Sequence, residues 1–581
     1  MKQTVLTRNF LKNRIAIKFL TFSLVLAFLL LTGCNNGKTT DNNSNASSSS
    51  DASSPSSSSD AASDSSPEQN NSEVTGTVKV VDAADGVITF ESQNLKVDLR
   101  DDADEIIPTG NCANLSTNMK GLFEAEADAR RNQILNAGNT EDIYTDKITG
   151  TTYYISPGGN DENNGTSPDA PLRTVDALNS IKLKAGDAVL FERNSVFRFI
   201  SSFNTIDGVV YGAYGEGSKP KIYASPMNYA KCEWEPSERK NIWKTDYVYD
   251  ELCSMIFEHG EKIGYRKTSV RNLKKNTDFY VDESASTLYL YCDQGNPASQ
   301  YKSIEVCTKF SIFTIPSFSG DVVIDNLCLK YSGVMAIEAK YNCHNVTITN
   351  CEIGYIGGAS GSSRYGNAIQ AWCGIQGFNV SNNWIYQIWD SAISWQGNAA
   401  GTADQYVAEY SNITINNNLL EFNNSDIEIW DENELLSGTQ QMNGNICRFT
   451  SLGWGTRADD GGYRGIEGVF GNCNTSNMNI AKGTVIEVIG TIIDCPGREI
   501  FNWAIYGTGR NENEGASMWN HYKISGTKVA INLSYRTSDC FVRGCRRNAD
   551  DVFLIRSNTN DEIITALKRF DNNVSTTIVG E

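Results

Sequence analysis

The sequence predicts an all-β fold of the parallel β-helix type, in which the chain coils and stacks one short strand on the next. Strand-like segments that close on Asn recur in the second half of the chain, and a second apolar strand follows each one. Short strands that cannot bury an apolar face alone, with Gly and Asn at the corners, are typical of such a coil. The Asn-closed segments are VVIDN (322–326), VTITN (346–350), FNVSNN (378–383) and ITINNN (413–418). The strands that follow are AIEAK (336–340), AIQAW (368–372), AISWQ (392–396) and DIEIW (426–430).

The spacing of these repeats indicates a constant rung with loops of variable length. The isoleucines of the second strands, Ile337, Ile369, Ile393 and Ile427, are separated by 32, 24 and 34 residues, and Ile466 and Ile500 are later candidates. A β-propeller is the weaker alternative, because no regular blade-length period of about 40 to 50 residues recurs. We expect Asn side chains at the corners of successive rungs to stack and hydrogen-bond along the coil.

Residues 1–33 have the order of a secretory signal peptide. Basic residues up to Lys18 precede an apolar run from Phe19 to Thr32, and this run is shorter than the roughly 20 residues that span a bilayer. It ends in Leu-Thr-Gly-Cys34, which resembles a bacterial lipobox. That resemblance implies cleavage before Cys34 and lipidation of its thiol. The alternative is an uncleaved anchor with an incidental Cys, and either way the rest of the chain lies outside the cytoplasmic membrane.

Three short regions precede the coil. Residues 34–73 are a flexible tether, since 14 of the 26 residues from Asp41 to Ser66 are Ser and no apolar periodicity is present. Residues 74–100 predict a small β-meander with a hairpin turn at Asp85-Gly86. Residues 101–150 form a connecting segment with a helical pattern over 119–137, which we expect to pack on the start of the coil.

The segment TYYISPGGNDENNGTSPDAPLRTVDALNSIKLKAGDAVLFERNSVFR (152–198) resembles the opening of extracellular pectate-lyase-like β-helix proteins. The resemblance implies a right-handed parallel β-helix over 151–581. It says little about the substrate, because many chemistries share this fold. The Trp- and Tyr-rich strands between about 209 and 308 are similar to an accessory β-rich insert of such proteins.

Composition excludes some functions. The chain has 50 Lys and Arg against 69 Asp and Glu, a formal charge of −19, and so a phosphate-backbone binder is not expected. Only three His residues are present, which argues against His-rich metal sites and leaves acid–base work to carboxylates. Of 15 Cys, those in apolar runs, such as Cys328 and Cys351, are expected to be buried free thiols. We expect a monomer.

Strand alternation predicts which side chains face outward. If the aligned isoleucines point into the coil, the residues after them form an outward column, namely Glu338, Gln370, Ser394, Glu428 and Glu467. Two residues further on, the same face carries Lys340, Trp372, Gln396 and Trp430, and one residue before each Ile it carries Ala336, Ala368, Ala392 and Asp426. Exposed Trp beside amides and carboxylates suits a sugar-binding groove, since aromatic faces stack on sugar rings. Gln370, Trp372, Gln396, Trp430 and Glu467 are therefore candidate substrate-binding residues.

Three carboxylates are candidates for catalysis. Glycoside hydrolysis needs one carboxylic acid to protonate the leaving oxygen and one carboxylate as base or nucleophile. Asp426 and Glu428 lie two residues apart on one strand, and Asp390 comes at the turn that enters the AISWQ strand. We expect Glu428 to be the proton donor and Asp390 or Asp426 its partner. The alternative for each is a solvent-facing side chain with no chemistry.

Basic residues suggest a second chemistry. A polysaccharide lyase needs cations, with or without calcium, to neutralise a uronate carboxylate, and Lys340, Arg364, Arg457 and Arg464 could serve. Asp459 and Asp460 could hold calcium or lie in a solvated loop. No cofactor is otherwise required. Hydrolysis of a polysaccharide is the leading hypothesis, and β-elimination and glycan binding without turnover are the alternatives.

Overall fold

The computed structural model describes most of the chain from Phe123 to Gly497 and short strands on either side of it. The described residues are 87–90, 95–98, 119, 121, 123–247, 249, 251–360, 363–397, 409–430, 435–456, 468–472, 479–497, 501–502, 522–526, 528–532 and 552–556. All of them belong to one compact unit, Ser72–Glu581. The expected signal peptide, the lipidation site Cys34 and the tether lie outside the described residues.

Three sheets of parallel strands form the body of the protein, which is a right-handed parallel β-helix as the sequence predicts. Sheet I contains Thr152–Ile155, Ala188–Glu192, Val210–Tyr214, Val323–Asp325, Cys343–Thr349, Ile375–Ser381, Glu409–Asn416, Leu435–Gln441, Asn479–Ile480, Val485–Ile489 and Tyr522–Ser525. Sheet II contains Val196–Arg198, Lys221–Tyr223, Cys328–Lys330, Glu352–Ile356, Trp384–Ile388, Leu419–Glu421, Ile446–Arg448, Ile492–Asp494, Lys528–Asn532 and Val552–Arg556, with Leu95–Asp98 and Val87–Phe90 at one edge. Sheet III contains Phe203–Asn204, Phe313–Ile315, Ile337–Ala339, Ile369–Trp372, Ser391–Gln396, Ser425–Trp430, Phe470–Asn472 and Phe501–Asn502.

One complete turn of the coil shows the rung. The chain passes through Ile369–Trp372 in sheet III, Ile375–Ser381 in sheet I and Trp384–Ile388 in sheet II, and it returns to sheet III at Ser391–Gln396. Strands of successive turns pair side by side, for example Ile369 with Ile393. Each strand therefore buries its inward face on neighbours above and below it.

The isoleucine column is confirmed over four rungs and then departs from the prediction. Ile337, Ile369, Ile393 and Ile427 pair in register, and all four belong to the main core. The next partner of Ile427 is Phe470 rather than Ile466, and Phe470 then pairs with Phe501 rather than Ile500. Because Phe470 fills the inward position of its rung, a search for Ile alone misplaces that rung, and the pairing of the next rung also falls on a Phe.

The expected Asn ladder is present at the corner between sheets I and II. The backbone N–H groups of Cys351, Asn383 and Asn418 donate to the side-chain oxygens of Asn383, Asn418 and Asn445, at 2.9, 2.9 and 3.0 Å. The amide nitrogens of Asn383 and Asn418 also donate along the ladder, both at 3.1 Å. All three Asn are fully buried, and so the ladder supplies hydrogen bonds that water cannot reach.

The N-terminal elements attach to sheet II. Val87–Phe90 and Leu95–Asp98 form an antiparallel hairpin that joins the sheet through Val552–Arg556. This pairing places the hairpin connection at 91–94, whereas the predicted turn at Asp85-Gly86 precedes the hairpin and lies outside the described residues.

The predicted helix exists at Glu124–Leu135, but it does not lie at the start of the coil. Ala127 and Ile134 pack against Leu419 and Ile446 of sheet II. The helix therefore covers later rungs, where the outer face of sheet II presents apolar residues to it. A second helix, Thr140–Ile143, packs on sheet I through Thr140, whose hydroxyl donates to Asp325 at 2.7 Å.

The β-rich insert begins later than 209. Val210–Tyr214 and Lys221–Tyr223 pair with strands of the coil. They contain Tyr residues, as the insert does, and composition alone therefore does not separate them from it. The insert itself holds a five-stranded sheet of Glu235–Pro236, Ile242–Asp246, Tyr265–Arg266, Asp278–Asp282 and Thr287–Tyr291, and a three-stranded sheet of Leu252–Phe257, Lys262–Ile263 and Ile304–Thr308. The described elements are completed by a two-stranded hairpin of Gly358–Ser360 and Ser363–Tyr365, a helix, Pro297–Gln300, and 3₁₀ turns at Val175–Ser180, Tyr229–Lys231, Glu258–Gly260, Val270–Asn272 and Trp454–Thr456.

The cysteines behave as buried apolar residues. Ten of them are free thiols in the part of the chain that the structure describes, and Cys328 and Cys351 lie in strands or corners of the coil as expected. Burial raises the pKa of the Cys351 thiol to about 12, and so this thiol stays protonated and unreactive. Within the same residues, no helix is long and apolar enough to span a membrane.

Candidate active site

The outward face of sheet III carries the predicted column of polar side chains. Glu338, Gln370, Ser394 and Glu428 are paired in register on successive strands. The position after Glu428 is Gly471, not Glu467, because the strand in that rung begins at Phe470. Glu467 lies outside the described residues.

The middle of the column is more enclosed than expected. Gln370 and Ser394 are fully buried and Glu428 is 1% exposed. Gln370 accepts hydrogen bonds from Asn367 and, at 2.9 Å, from Gln396, and its own amide donates to the Ala371 carbonyl at 2.9 Å. Both predicted binding residues Gln370 and Gln396 therefore take part in one amide network that orients Gln396, the more exposed of the two.

Trp372 lies at the open end of the face. Its indole Nε1 donates to Glu338 Oε1 at 3.1 Å, and the Lys340 ammonium reaches the same oxygen at 2.5 Å. Ser311 donates to the other oxygen of Glu338 at 2.9 Å. Glu338 thus fixes the indole and the ammonium side by side, and the partly exposed Trp372 ring is held as a platform.

Asp390 and Glu428 are connected through Ser391. The Ser391 hydroxyl donates to Glu428 Oε2 at 2.8 Å, and Asp390 is the residue immediately before Ser391. Asp390 is 4% exposed and sits in the turn between sheets II and III, where its N–H donates to Gly366 and its carbonyl accepts from Ser425. The structure therefore places Asp390 in the turn one residue before Ser391, and Ser391 contacts Glu428 on the next rung.

Asp426 does not belong to that face. Its oxygens accept hydrogen bonds from Asn423 at 2.9 Å and from the Thr450 hydroxyl, and the thiol of Cys447, a core residue, contributes a third. Burial raises the pKa of Asp426 to about 7 against the lowering effect of these hydrogen bonds. The alternation of side-chain directions along a strand does not predict this position. Asp426 lies at the start of its strand, at the corner between sheets II and III, and its side chain points into that corner.

The same correction applies to the alanines one residue before each isoleucine. Ala336, Ala368 and Ala392 were expected on the outward face with Asp426, but all three lie in the main core. Small residues at this position let the chain turn closely from sheet II into sheet III. The outward face of sheet III therefore does not include the position before each isoleucine, which the sequence predicts to belong to it.

A small hairpin lies beside the Asp390 turn. Gly358–Ser360 pairs with Ser363–Tyr365, and this pairing places Arg364 opposite Ala359. Ser254 of the insert donates to the Gly357 carbonyl at 3.0 Å, and so the insert packs against the start of the hairpin. The side chains of Arg364 and Trp430 are outside the described atoms, and Arg457, Asp459, Asp460 and Arg464 fall outside the described residues. Among the residues that the structure does describe, no cluster of His, Cys, Asp and Glu could hold a metal ion.

Two residues that contact the candidate site are absent from the sequence prediction. Ser391 and Asn367 position Glu428 and Gln370 respectively, and neither is titratable or aromatic. Only their position in the sequence could have indicated them, since Asn367 lies just before one strand of the groove and Ser391 begins the next.

Comparison with known proteins gives a short sequence match and fold-level likenesses. No family model matches the chain. A lacto-N-biosidase from Bifidobacterium longum subsp. longum is 32% identical over 107 residues, which is 17% of this chain and 7% of that protein. The chain thus spans less than a tenth of the curated relative that it matches.

Solved structures with similar folds are more distant. A GH136 lacto-N-biosidase from Eubacterium ramulus is 14% identical, with a TM-score of 0.34 over 76% of this chain and 68% of that one. A rhamnogalacturonan lyase is 11% identical, with a TM-score of 0.32 over 66% of this chain and 74% of that one. The three parallel sheets, rather than these likenesses, make the chain a right-handed parallel β-helix.

Proposed function

We propose that this protein is an extracytoplasmic, membrane-anchored glycoside hydrolase that binds a polysaccharide along the outer face of sheet III. Glu428 is the proton donor, and Asp390 is the base or nucleophile. Trp372 and Gln396 bind the sugar rings beside them.

The arrangement of Asp390, Ser391 and Glu428 carries this proposal. A hydrolase needs two carboxyl groups at neighbouring positions of one groove. Ser391 directly follows Asp390, and its hydroxyl donates to Glu428 on the next rung. Asp426 is excluded from the pair, since its contacts lie in the core junction.

Hydrolysis is favoured over β-elimination because Lys340, the candidate lyase cation whose side chain the structure describes, is already paired with a carboxylate. A lyase needs a cation that can meet a uronate carboxylate, whereas the Lys340 ammonium is already bound to Glu338 at 2.5 Å. The sequence match to a lacto-N-biosidase, by its name an enzyme that cleaves a glycoside, supports a carbohydrate substrate and the same class of chemistry.

The signal-like residues 1–33 and Cys34 support export and lipid anchoring, which would place the catalytic unit on the outer side of a membrane with the Ser-rich segment as its tether. Labelling with a radioactive fatty acid tests this. The label should appear in the wild type and disappear in Cys34→Ser.

The catalytic proposal is tested with the full-length protein in detergent on a panel of neutral and uronate polysaccharides. New reducing ends without ultraviolet absorbance of an unsaturated uronate indicate hydrolysis, and both signals together indicate β-elimination. Glu428→Gln and Asp390→Asn should each lower kcat at least 100-fold, while Asp426→Asn on the same strand is the matched control and should keep most activity. Binding without either signal would show a glycan-binding protein and refute catalysis.

A further inference from the structure

Three exposed apolar side chains lie at the turns by which successive strands leave sheet III. Ile206, Phe318 and Tyr341 are 41%, 55% and 43% exposed. They follow Phe203–Asn204, Phe313–Ile315 and Ile337–Ala339, and these three strands are direct neighbours. We call the three side chains the rim.

Backbone contacts stack these turns on one another. The Phe318 N–H donates to the Tyr341 carbonyl at 2.9 Å, and the Gly208 N–H donates to the Gly320 carbonyl at 3.1 Å. Tyr341 directly follows Lys340, which shares Glu338 with the Trp372 indole. The rim is therefore continuous with the groove edge at the Glu338 rung and extends it by two rungs toward the N-terminal end of the coil.

Phe318 has a strained backbone conformation, and it lacks the burial that could offset the strain. Its φ is +66°, a region that favours Gly or Asn over a bulky side chain. Four other Tyr and Phe residues have positive φ, namely Tyr331, Tyr355, Phe422 and Phe449, and all four are buried. Their packing offsets the strain, whereas Phe318 keeps more than half of its side chain in water. Such a residue suggests a role in binding.

We propose that the rim provides further sugar subsites, so that the protein binds a glycan chain several units long rather than only the sugars flanking the cleaved bond. This inference rests on the proposed function. Rungs about 4.8 Å apart are close in length to a pyranose ring, so one rung can serve one sugar. Four rung steps separate Phe318 from Glu428, about 19 Å along the axis. Beyond Ile206 the path ends in a pocket of about 980 Å³ that Phe203 and Ile206 help to line.

The surroundings of the rim favour a glycan over a lipid surface. Charged groups lie beside the apolar ones, since Asp321 follows Phe318 in the same turn and His344 lies in the strand Cys343–Thr349 after Tyr341, and their side chains are 59% and 44% exposed. Sugars present both apolar faces and hydroxyl groups to such a surface. A net charge of −19 opposes binding to anionic lipid.

The test measures affinity against chain length. Oligosaccharides of two to eight units, made from whichever polysaccharide the full-length protein binds or cleaves, are titrated by calorimetry into the wild type, Phe318→Asn and Tyr341→Ala. Wild-type affinity should rise with length beyond four units. Each variant should bind the long oligosaccharides about two- to tenfold more weakly and the shortest ones equally well. Asn is at home at positive φ, so Phe318→Asn should fold.

Ile143→Ala is the matched control, because Ile143 is 43% exposed but lies in the helix on sheet I; it should bind every length like the wild type. Affinity that levels off at two or three units, or an equal loss for short and long oligosaccharides, would overturn the rim proposal while cleavage of short substrates still stood. Tight binding with length dependence but no cleavage would leave the rim standing and remove the hydrolase. Binding to a protein partner in place of any glycan would remove both.

Discussion

Replacing Asp426 by Asn should change how stability depends on pH and leave catalysis in place. In the folded protein, burial raises the pKa of Asp426 to about 7, whereas an aspartate in an unfolded chain titrates near 4. The folded state therefore holds the proton more tightly. The stabilisation from this group is fully present below pH about 4 and is lost as the pH rises through about 7.

The magnitude follows from the size of the pKa shift. Three units at about 1.4 kcal/mol each give at most about 4 kcal/mol between the two extremes. Between pH 5 and pH 8 the loss from this one group is about 3 kcal/mol. Asn has no titrating proton and can still accept from Asn423 with its oxygen, and the Thr450 hydroxyl can turn to accept from the new amide.

The assay is urea unfolding of the wild type and Asp426→Asn at pH 5, 6, 7 and 8, with the free energy of unfolding taken at each pH. The difference between the two proteins should change by about 3 kcal/mol across this range in favour of the variant at high pH. Parallel profiles would mean that the Asp426 carboxyl group is not desolvated as the structure shows. A loss of cleavage in a stably folded Asp426→Asn would return Asp426 to the catalytic pair.

Three further outcomes are expected. Asn418→Ala should lower the free energy of unfolding by about 3 to 5 kcal/mol, because it leaves several hydrogen-bonding groups of the Asn ladder unsatisfied. Asn276→Ala in the insert is the control and should change the free energy of unfolding by less than about 0.5 kcal/mol. Urea unfolding measures both. Glu421→Gln should cost about 3 kcal/mol by the same measurement, since it weakens a buried site shared by two arginines, and equal stability would contradict that. Trp372→Ala should raise KM about tenfold with little change in kcat, measured by reducing-end release; a selective fall in kcat would give the indole a role in the reaction itself.

The coil and its register were accessible from the sequence because both are periodic. Inward isoleucines, corner asparagines and the polar column of sheet III each repeat once per rung, and one rung aligned correctly fixes its neighbours. The prediction failed where the inward residue changed from Ile to Phe, at Phe470, since an alignment on one residue type has no other anchor.

The details of the site were less predictable because they depend on corners. Alternation along a strand gives the direction of Glu428 but not that of Asp426, which sits where sheet II turns into sheet III. The helix Glu124–Leu135 was visible from its pattern, but its docking position depends on the apolar outer face of distant strands. Ser391 carried no chemical signal until its hydroxyl was seen beside Glu428.

Buried charge on sheet II has a different role from buried charge on sheet III. On sheet II, Glu421 contacts two arginines, Arg448 of the same sheet at 2.7 Å and Arg131 of the helix Glu124–Leu135 at 2.8 Å. Such carboxylates are fixed by opposite charges, so they hold elements together.

On sheet III, Glu428 accepts from the neutral hydroxyl of Ser391, and its neighbours in the column, Ser394 and Gln370, are neutral as well. The Ser391 hydroxyl orients the Glu428 carboxyl group, and a group that must exchange protons with a substrate needs a fixed orientation toward it. If this reasoning is right, replacing Ser391 by Ala should lower kcat by disordering Glu428, and replacing it by Lys should abolish cleavage by fixing the carboxylate in its charged form. Activity that survives Ser391→Lys would show that Glu428 is not the proton donor.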